Sequence, residues 1–225
     1  IMPTINANRV GSAIGAGSGT FSTARQSNAD SVTDNPTGSD ANAIQHFFSS
    51  GRGGGTHKFR RLFIHFDTSS VSATPQDAVI NIAGSSNTSA DIIVVKSNAM
   101  GADGSTALAT SEFFSSIDYT APLSSEITSW STGSNSISLN ATALSLIGSA
   151  DNLTVVLVEH DSDFQNTAVT SGTVAAGVNF GTTITLGYTA AASGYGHKVS
   201  GVAAASISKV NTVATASIGK VNTVD

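Results

Sequence analysis

The densest group of side chains able to do chemistry is Glu159-His160-Asp161-Ser162-Asp163, where three carboxylates and an imidazole fall within five residues. An Asp-x-Asp step in a loop offers carboxylate oxygens of the kind that hard cations take from proteins. Asp161 and Asp163 are therefore the candidate calcium ligands, with a solvated acidic turn as the competing reading. Cleavage of a glycosidic bond needs two carboxylates flanking one bond. The only glutamates are Glu112, Glu126 and Glu159, and nothing in their spacing places two together. Serine is abundant, yet no Gly-x-Ser-x-Gly elbow exposes one as a nucleophile. His46 and His57 flank loops and His65 falls on the polar side of a strand, which suits structural or exposed histidines better than a metal trio. Trp130 and Tyr119 are the aromatic rings on which a sugar could stack. With aromatics at 6% of the chain, burial of Trp130 competes with that role. There is no cysteine, which excludes disulfides, thiolate nucleophiles and Cys-based zinc sites. The expectation is a protein without catalytic activity and without an obligatory cofactor.

The elements that must position these residues are read from composition and period. Charged residues make up 11% of the chain, about half the usual share. Ser, Thr, Ala, Gly and Asn take their place, so hydroxyls and amides solvate the surface, as in secreted, cell-surface and viral structural proteins. The net charge of −5 is spread along the chain, which argues against a nucleic-acid partner. The densest positive stretch, Arg52, Lys58, Arg60 and Arg61, reads as the lip of a strand. Gly51-Arg52-Gly53-Gly54-Gly55 lacks the Gly-Lys-Ser/Thr ending of a phosphate loop and reads as a flexible connection. No apolar stretch reaches the roughly 20 residues that span a bilayer, so no membrane insertion is expected. No charged-then-apolar leader opens the sequence, which points to a virion component released by lysis rather than by secretion.

Short β-branched runs recur between Gly, Ser and Asn turns. In Phe59 to Asp67, Leu62, Ile64 and Phe66 share an apolar face, opposite Arg61, Phe63 and His65. Val79 to Ala83, Asp91 to Lys96, Ser136 to Asn140, Leu153 to Glu159, Val178 to Phe180 and Thr182 to Tyr188 read as further strands. Arg9 to Ile14, Gly19 to Arg25 and Ile44 to Phe48 are strand-like pieces around a polar loop at Asn28 to Asn42. Ser111 to Phe114 and Ile117 to Tyr119 suit strand or turn. Ser124 to Trp130 suits a short helix capped by Ser124, and Ala141 to Ala150 a second one. The fold class is all-β, an antiparallel β-sandwich. Residues 1–56 are N-terminal strands and loops, 57–192 the sandwich body and 193–225 an arm. The expected core is Leu62, Ile64, Phe66, Ile80, Ile82, Ile93, Val95, Ile127, Trp130, Leu139, Val155, Leu157, Ile184, Leu186 and Tyr188.

The order of features in residues 59–190 resembles a jelly-roll family, the DNRLRE-type and related carbohydrate-binding-module-like sandwiches. The resemblance rests on Arg61-Leu62-Phe63-Ile64-His65-Phe66-Asp67, the Ser/Pro turn and Ala78 to Ile82. It continues in Ile127 to Asn135, in Glu159 to Phe164 and in the closing strand to Tyr188. Asp67-Thr68-Ser69-Ser70 stands where the family carries a leucine. The resemblance implies a surface, adhesion or fibre module, with glycans among its possible ligands.

The C-terminus repeats at a period of eleven: Lys198-Val199-Ser200-Gly201-Val202, Lys209-Val210-Asn211-Thr212-Val213 and Lys220-Val221-Asn222-Thr223-Val224, with Ile207 recurring as Ile218. These units resemble the Lys-Val-Asn-Gly-Val repeats of marine phage structural proteins, with Thr212 and Thr223 in place of the second glycine. Apolar steps of 3, 3 and 5 average about 3.67, the period of an eleven-residue helical stripe. Asn, Thr, Val, Ser and Gly are poor helix formers, so turns and short strands pairing with a neighbour are the alternative. The arm is expected to order only against a partner, either copies of the same chain or other virion proteins. Three readings follow. They are a virion-surface structural protein (capsid decoration or fibre), a carbohydrate-binding or adhesion module on an extracellular surface, and, weakly supported, a hydrolase using Glu159 or Asp161.

Overall fold

The protein is described here by a computed structural model covering residues 2–18, 20–51, 55–191, 209–210 and 213–214. Half of the described residues are in strands and 13% in helices. The all-β class expected from the sequence is found, as one antiparallel sheet of twelve strands.

The sheet is organised around β5 (Thr56–Asp67). One edge of β5 pairs with β2 (Arg9–Ser18) from Thr56 to His65. The other edge is shared: β4 (Ser39–Ser49) pairs with Thr56 to Arg60, and β10 (Asn152–Glu159) with Leu62 to Asp67. The two neighbours part at Arg61. Beyond β10 lie β7 (Ile92–Ser97) and β8 (Ile117–Pro122); beyond β4 lies β11 (Gly172–Asn179). A second long strand, β6 (Asp77–Thr88), also serves two ladders. Its first part pairs with β12 (Thr185–Thr189) and β9 (Ser134–Ser138), and from Gly84 onward it pairs with β11. A side chain at Gly84 would collide with Ser131 and with the Trp130 indole, so only hydrogen fits where β6 passes from one ladder to the other. β1 (Thr4–Asn6) closes the far edge on β12, and β3 (Ser31–Asp34) lies on β2.

One apolar cluster unites the two halves of this ladder: Leu62, Ile64, Phe66, Val94, Val155 and Leu157 pack with Ile80, Ile82, Trp130, Ile137, Ile184 and Leu186. Ile127 and Tyr188 pack against it half-buried. α3 (Ala141–Ser149), capped by Asn140, contributes Ala143 and Ile147. Each of the large side chains buried there is worth roughly 1.5–3 kcal/mol.

The opposite face of β5 is not polar, as the alternation suggested, but buried as well: Arg61, Phe63 and His65 have no exposure. A second cluster, with Ala13, Phe59, Val95 and Val156, is covered by α1 (Phe21–Gln26) and α2 (Glu112–Ser115). α1 replaces the strand expected at Gly19 to Arg25. Thr20 caps it by accepting a bond from the Thr23 amide at 3.3 Å, and Phe21, Ala24 and Arg25 fall on one buried face. α2 likewise occupies the strand-or-turn stretch Ser111 to Phe114. Ser124 to Trp130 is extended instead of helical. The Ser124 hydroxyl accepts from the Val94 amide instead of capping, and Ile127 bridges Ile92. The loop expected at Asn28 to Asn42 contains β3 and the start of β4.

Among the described residues no helix is long and apolar enough to cross a membrane. In the arm, β13 (Lys209–Val210) pairs antiparallel with β14 (Val213–Ala214), Val210 opposite Val213. The other arm residues singled out above, Lys198, Val199, Val202, Ile207, Ile218, Lys220, Val221 and Val224, lie outside the described residues, as does Arg52.

Candidate functional site

Where β4 and β10 part, the sheet buries charge. The Arg61 guanidinium donates to both oxygens of Asp163, at 2.7 and 2.8 Å, and to the carbonyls of Phe113 (2.6 Å) and Arg25 (3.0 Å). Arg25 donates to the Asp163 carbonyl at 2.6 Å, and the Tyr119 hydroxyl to Asp163 Oδ1 at 2.9 Å. Arg61 lies 4.0 Å from the centre of the Phe113 ring, and Arg25 4.2 Å from that of Tyr119. Burial alone would pull the Arg61 pKa down, but the Asp163 carboxylate outweighs it and holds the guanidinium charged. Burial pushes the Tyr119 hydroxyl up, so it remains a donor.

This network changes the role of three candidates. Asp163 is fully buried and its carboxylate is saturated by Arg61 and Tyr119, so it is no calcium ligand. Asp161 points away from it, because residues two apart on a turn of helix do not share a face. Tyr119 spends its hydroxyl on Asp163, with its ring against Arg25. Trp130 is buried, its indole N–H donating to the Gly177 carbonyl at 3.0 Å. Neither ring is an open sugar platform. Arg61, assigned to a positive lip, is in the interior.

β10 runs into a single π-helical turn, His160–Phe164. Glu159 caps it: Oε2 accepts from the amides of Ser162 (2.8 Å) and Asp163 (3.0 Å) and from the Ser162 hydroxyl. Burial pushes the Glu159 pKa up while these donors pull it back. The turn aims His160 and Asp161 at Asp91, which precedes β7, and at Glu126 beside the Ile92–Ile127 bridge. Donor atoms of all four lie within 4.8 Å of one another. His160 Nδ1 is 3.1 Å from Asp161 Oδ1, 3.7 Å from Asp91 Oδ1 and 3.8 Å from Glu126 Oε2. Asp91 Oδ1 is buried without a hydrogen bond. Burial, then the charges of Asp161 and Glu126, push the Asp91 pKa up to about 7. A cavity of about 380 Å³ opens beside the cluster, lined by Asp91, Glu159, Asp161 and His46 among others. Chemically, three carboxylates and an imidazole can hold a cation.

The sequence brought out His160 and Asp161 but not Asp91 or Glu126, which are 69 and 34 residues before His160. Only strand pairing brings them together.

Among the described residues, the other three histidines are interior. His46 Nε2 meets His57 Nδ1 at 3.2 Å under Phe21, and His46 stacks on Phe59 at 4.6 Å. Burial, with help from His57, lowers the His46 pKa to about 4, and burial lowers that of His57. His65, also lowered by burial, bonds Thr154 Oγ1 at 2.7 Å.

No family model and no curated protein matches the chain.

Proposed function

We propose that the chain is a structural component of a virion surface, a capsid-decorating or fibre protein that associates with copies of itself or with other virion proteins through its C-terminal arm. The observation that carries this reading is the eleven-residue repeat, whose middle copy pairs Lys209–Val210 with Val213–Ala214. A ladder of two residue pairs cannot sustain itself in water and needs a surface to complete it. Repeats of one period supply that surface when neighbouring arms meet in register, since each presents the same lysine and valines to the next. The body supports the same role. Its charges are few and several are locked inside the sheet, so its surface is left to hydroxyls and amides.

The test is the native mass of the full chain beside a chain ending at Ala191. The expected result is a concentration-dependent oligomer for the full chain and a folded monomer for the shortened one. Equal masses for the two would remove the arm as the means of assembly.

A further inference from the structure

The four groups gathered where β10 enters its π turn take no part in the buried ion-pair network, and among the described residues no lysine or arginine pairs with them. We propose that Asp91, Glu126, His160 and Asp161 form a binding site for one divalent metal ion of the Zn²⁺ or Mn²⁺ kind.

The geometry supports it in three ways. Donors to a single ion, each roughly 2.0–2.2 Å from it, lie at most about 4.4 Å apart. The four here are already within 4.8 Å, so small side-chain rotations close the shell. An imidazole among carboxylates suits a borderline ion better than calcium, which prefers an all-oxygen shell. Asp91 Oδ1 is a further sign: the side chain as a whole is 17% exposed, but this oxygen is buried without a hydrogen bond and faces His160 Nδ1 at 3.7 Å. A carboxylate oxygen shut away without a donor is costly to ionise, and a cation is a partner that satisfies it.

The donors also come from a fixed frame. The His160 amide donates to the Asp91 carbonyl at 2.9 Å, and Ile92 and Ile127 exchange backbone bonds at 3.1 and 2.8 Å. The His160 ring stacks on Phe164, and its Nε2 lies 3.1 Å from the Gln165 amide. Binding through Nδ1 requires Nε2 to carry the proton, with Gln165 turned to offer its oxygen. The adjoining cavity gives the ion a way in and room for waters. Such an ion would pin the π turn, the start of β7 and the Glu126 segment together, a structural staple independent of the arm.

The test uses the full chain, stripped with EDTA and titrated with ZnCl₂, MnCl₂ or CaCl₂ by calorimetry and thermal unfolding. One Zn²⁺ or Mn²⁺ per chain is expected, with a melting temperature raised by about 5–10 °C at a hundredfold excess over Kd. Glu126→Gln, whose side chain is 41% exposed, and His160→Gln are each expected to weaken binding by about tenfold or more. Melting of the metal-free variants near the wild-type temperature separates lost binding from lost folding. Absence of binding by both ions, or equal binding by wild type and both variants, overturns the site. Calcium binding without Zn²⁺ or Mn²⁺ overturns the ion class.

Discussion

Replacing Asp163 with Asn tests whether the sheet depends on its buried charges. The substitution keeps the shape and removes the anion. Arg61, which has no exposure, would exchange two charged bonds of 2.7 and 2.8 Å for at most one neutral bond to the Asn oxygen, beside the Phe113 and Arg25 carbonyls. Tyr119 would lose its charged acceptor, and Arg25 its carboxylate neighbour at 3.3 Å. Leaving one partner of a buried pair uncompensated costs about 3–5 kcal/mol. With a urea m-value of about 2 kcal/mol per molar, the midpoint should fall by about 1.5–2.5 M. The assay is equilibrium urea unfolding followed by fluorescence and circular dichroism. Arg61→Met combined with Asp163→Asn should cost less than the two single changes summed, because the double variant leaves no stranded charge at position 61. A midpoint loss below about 0.5 M for Asp163→Asn, or strict additivity, would refute the idea that the pair is a unit on which the fold depends.

Acid should loosen the side of the sheet under α1. His46 titrates near 4 in the fold against 6.5 when free, so the unfolded chain binds the extra proton. Its contribution is complete above about pH 6.5 and is lost as pH falls toward 4, by up to about 1.4 kcal/mol per pH unit. Melting curves of wild type and His46→Leu across this window should converge as pH drops; parallel curves would count against the buried neutral pair. The raised Asp91 acts in the opposite sense, losing stability as pH rises toward 7, and comparison of the two proteins cancels it. Trp130→Phe should cost about 1–3 kcal/mol in urea unfolding by stranding the Gly177 carbonyl. It should leave any glycan-array signal unchanged, and a signal that disappears in a folded variant would restore Trp130 as a sugar contact.

Strands were legible where apolar, β-branched residues gather between turn signals: β5, β6, β7, β10 and β12 stand at such runs, of which β7 and β10 are buried on both faces. Alternation misled at Arg61 and His65, because α1 and α2 cover the face that the pattern gave to solvent. The polar groups there find partners at sequence distances of 102 (Asp163) and 89 (Thr154). α1 was missed because Thr20, Ser22 and Ala24 alternate with Phe21 and Thr23 like a strand. The decisive signals were the Thr20 cap and the burial of Phe21, Ala24 and Arg25, and six residues are too few for a helical period to outweigh alternation. The same limit applies to the cluster of Asp91, Glu126, His160 and Asp161. His160 and Asp161 adjoin in sequence, but Asp91 and Glu126 reach them only after β7 pairs with β10, and no local spacing encodes that.

The pairing of β1 with β12 has a mechanical consequence. Thr4 lies opposite Gly187, and the Tyr188 amide bonds the Pro3 carbonyl at 3.0 Å, so the chain enters the body and leaves it toward the arm at one corner. A pull between Met2 and Ala191 therefore opens this ladder one rung at a time, like a zip, instead of shearing all rungs together. Only three residue pairs resist before the load reaches β2 and β6. An arm anchored in a neighbouring particle would pass tension to this corner first, leaving the network around Arg61 unstrained.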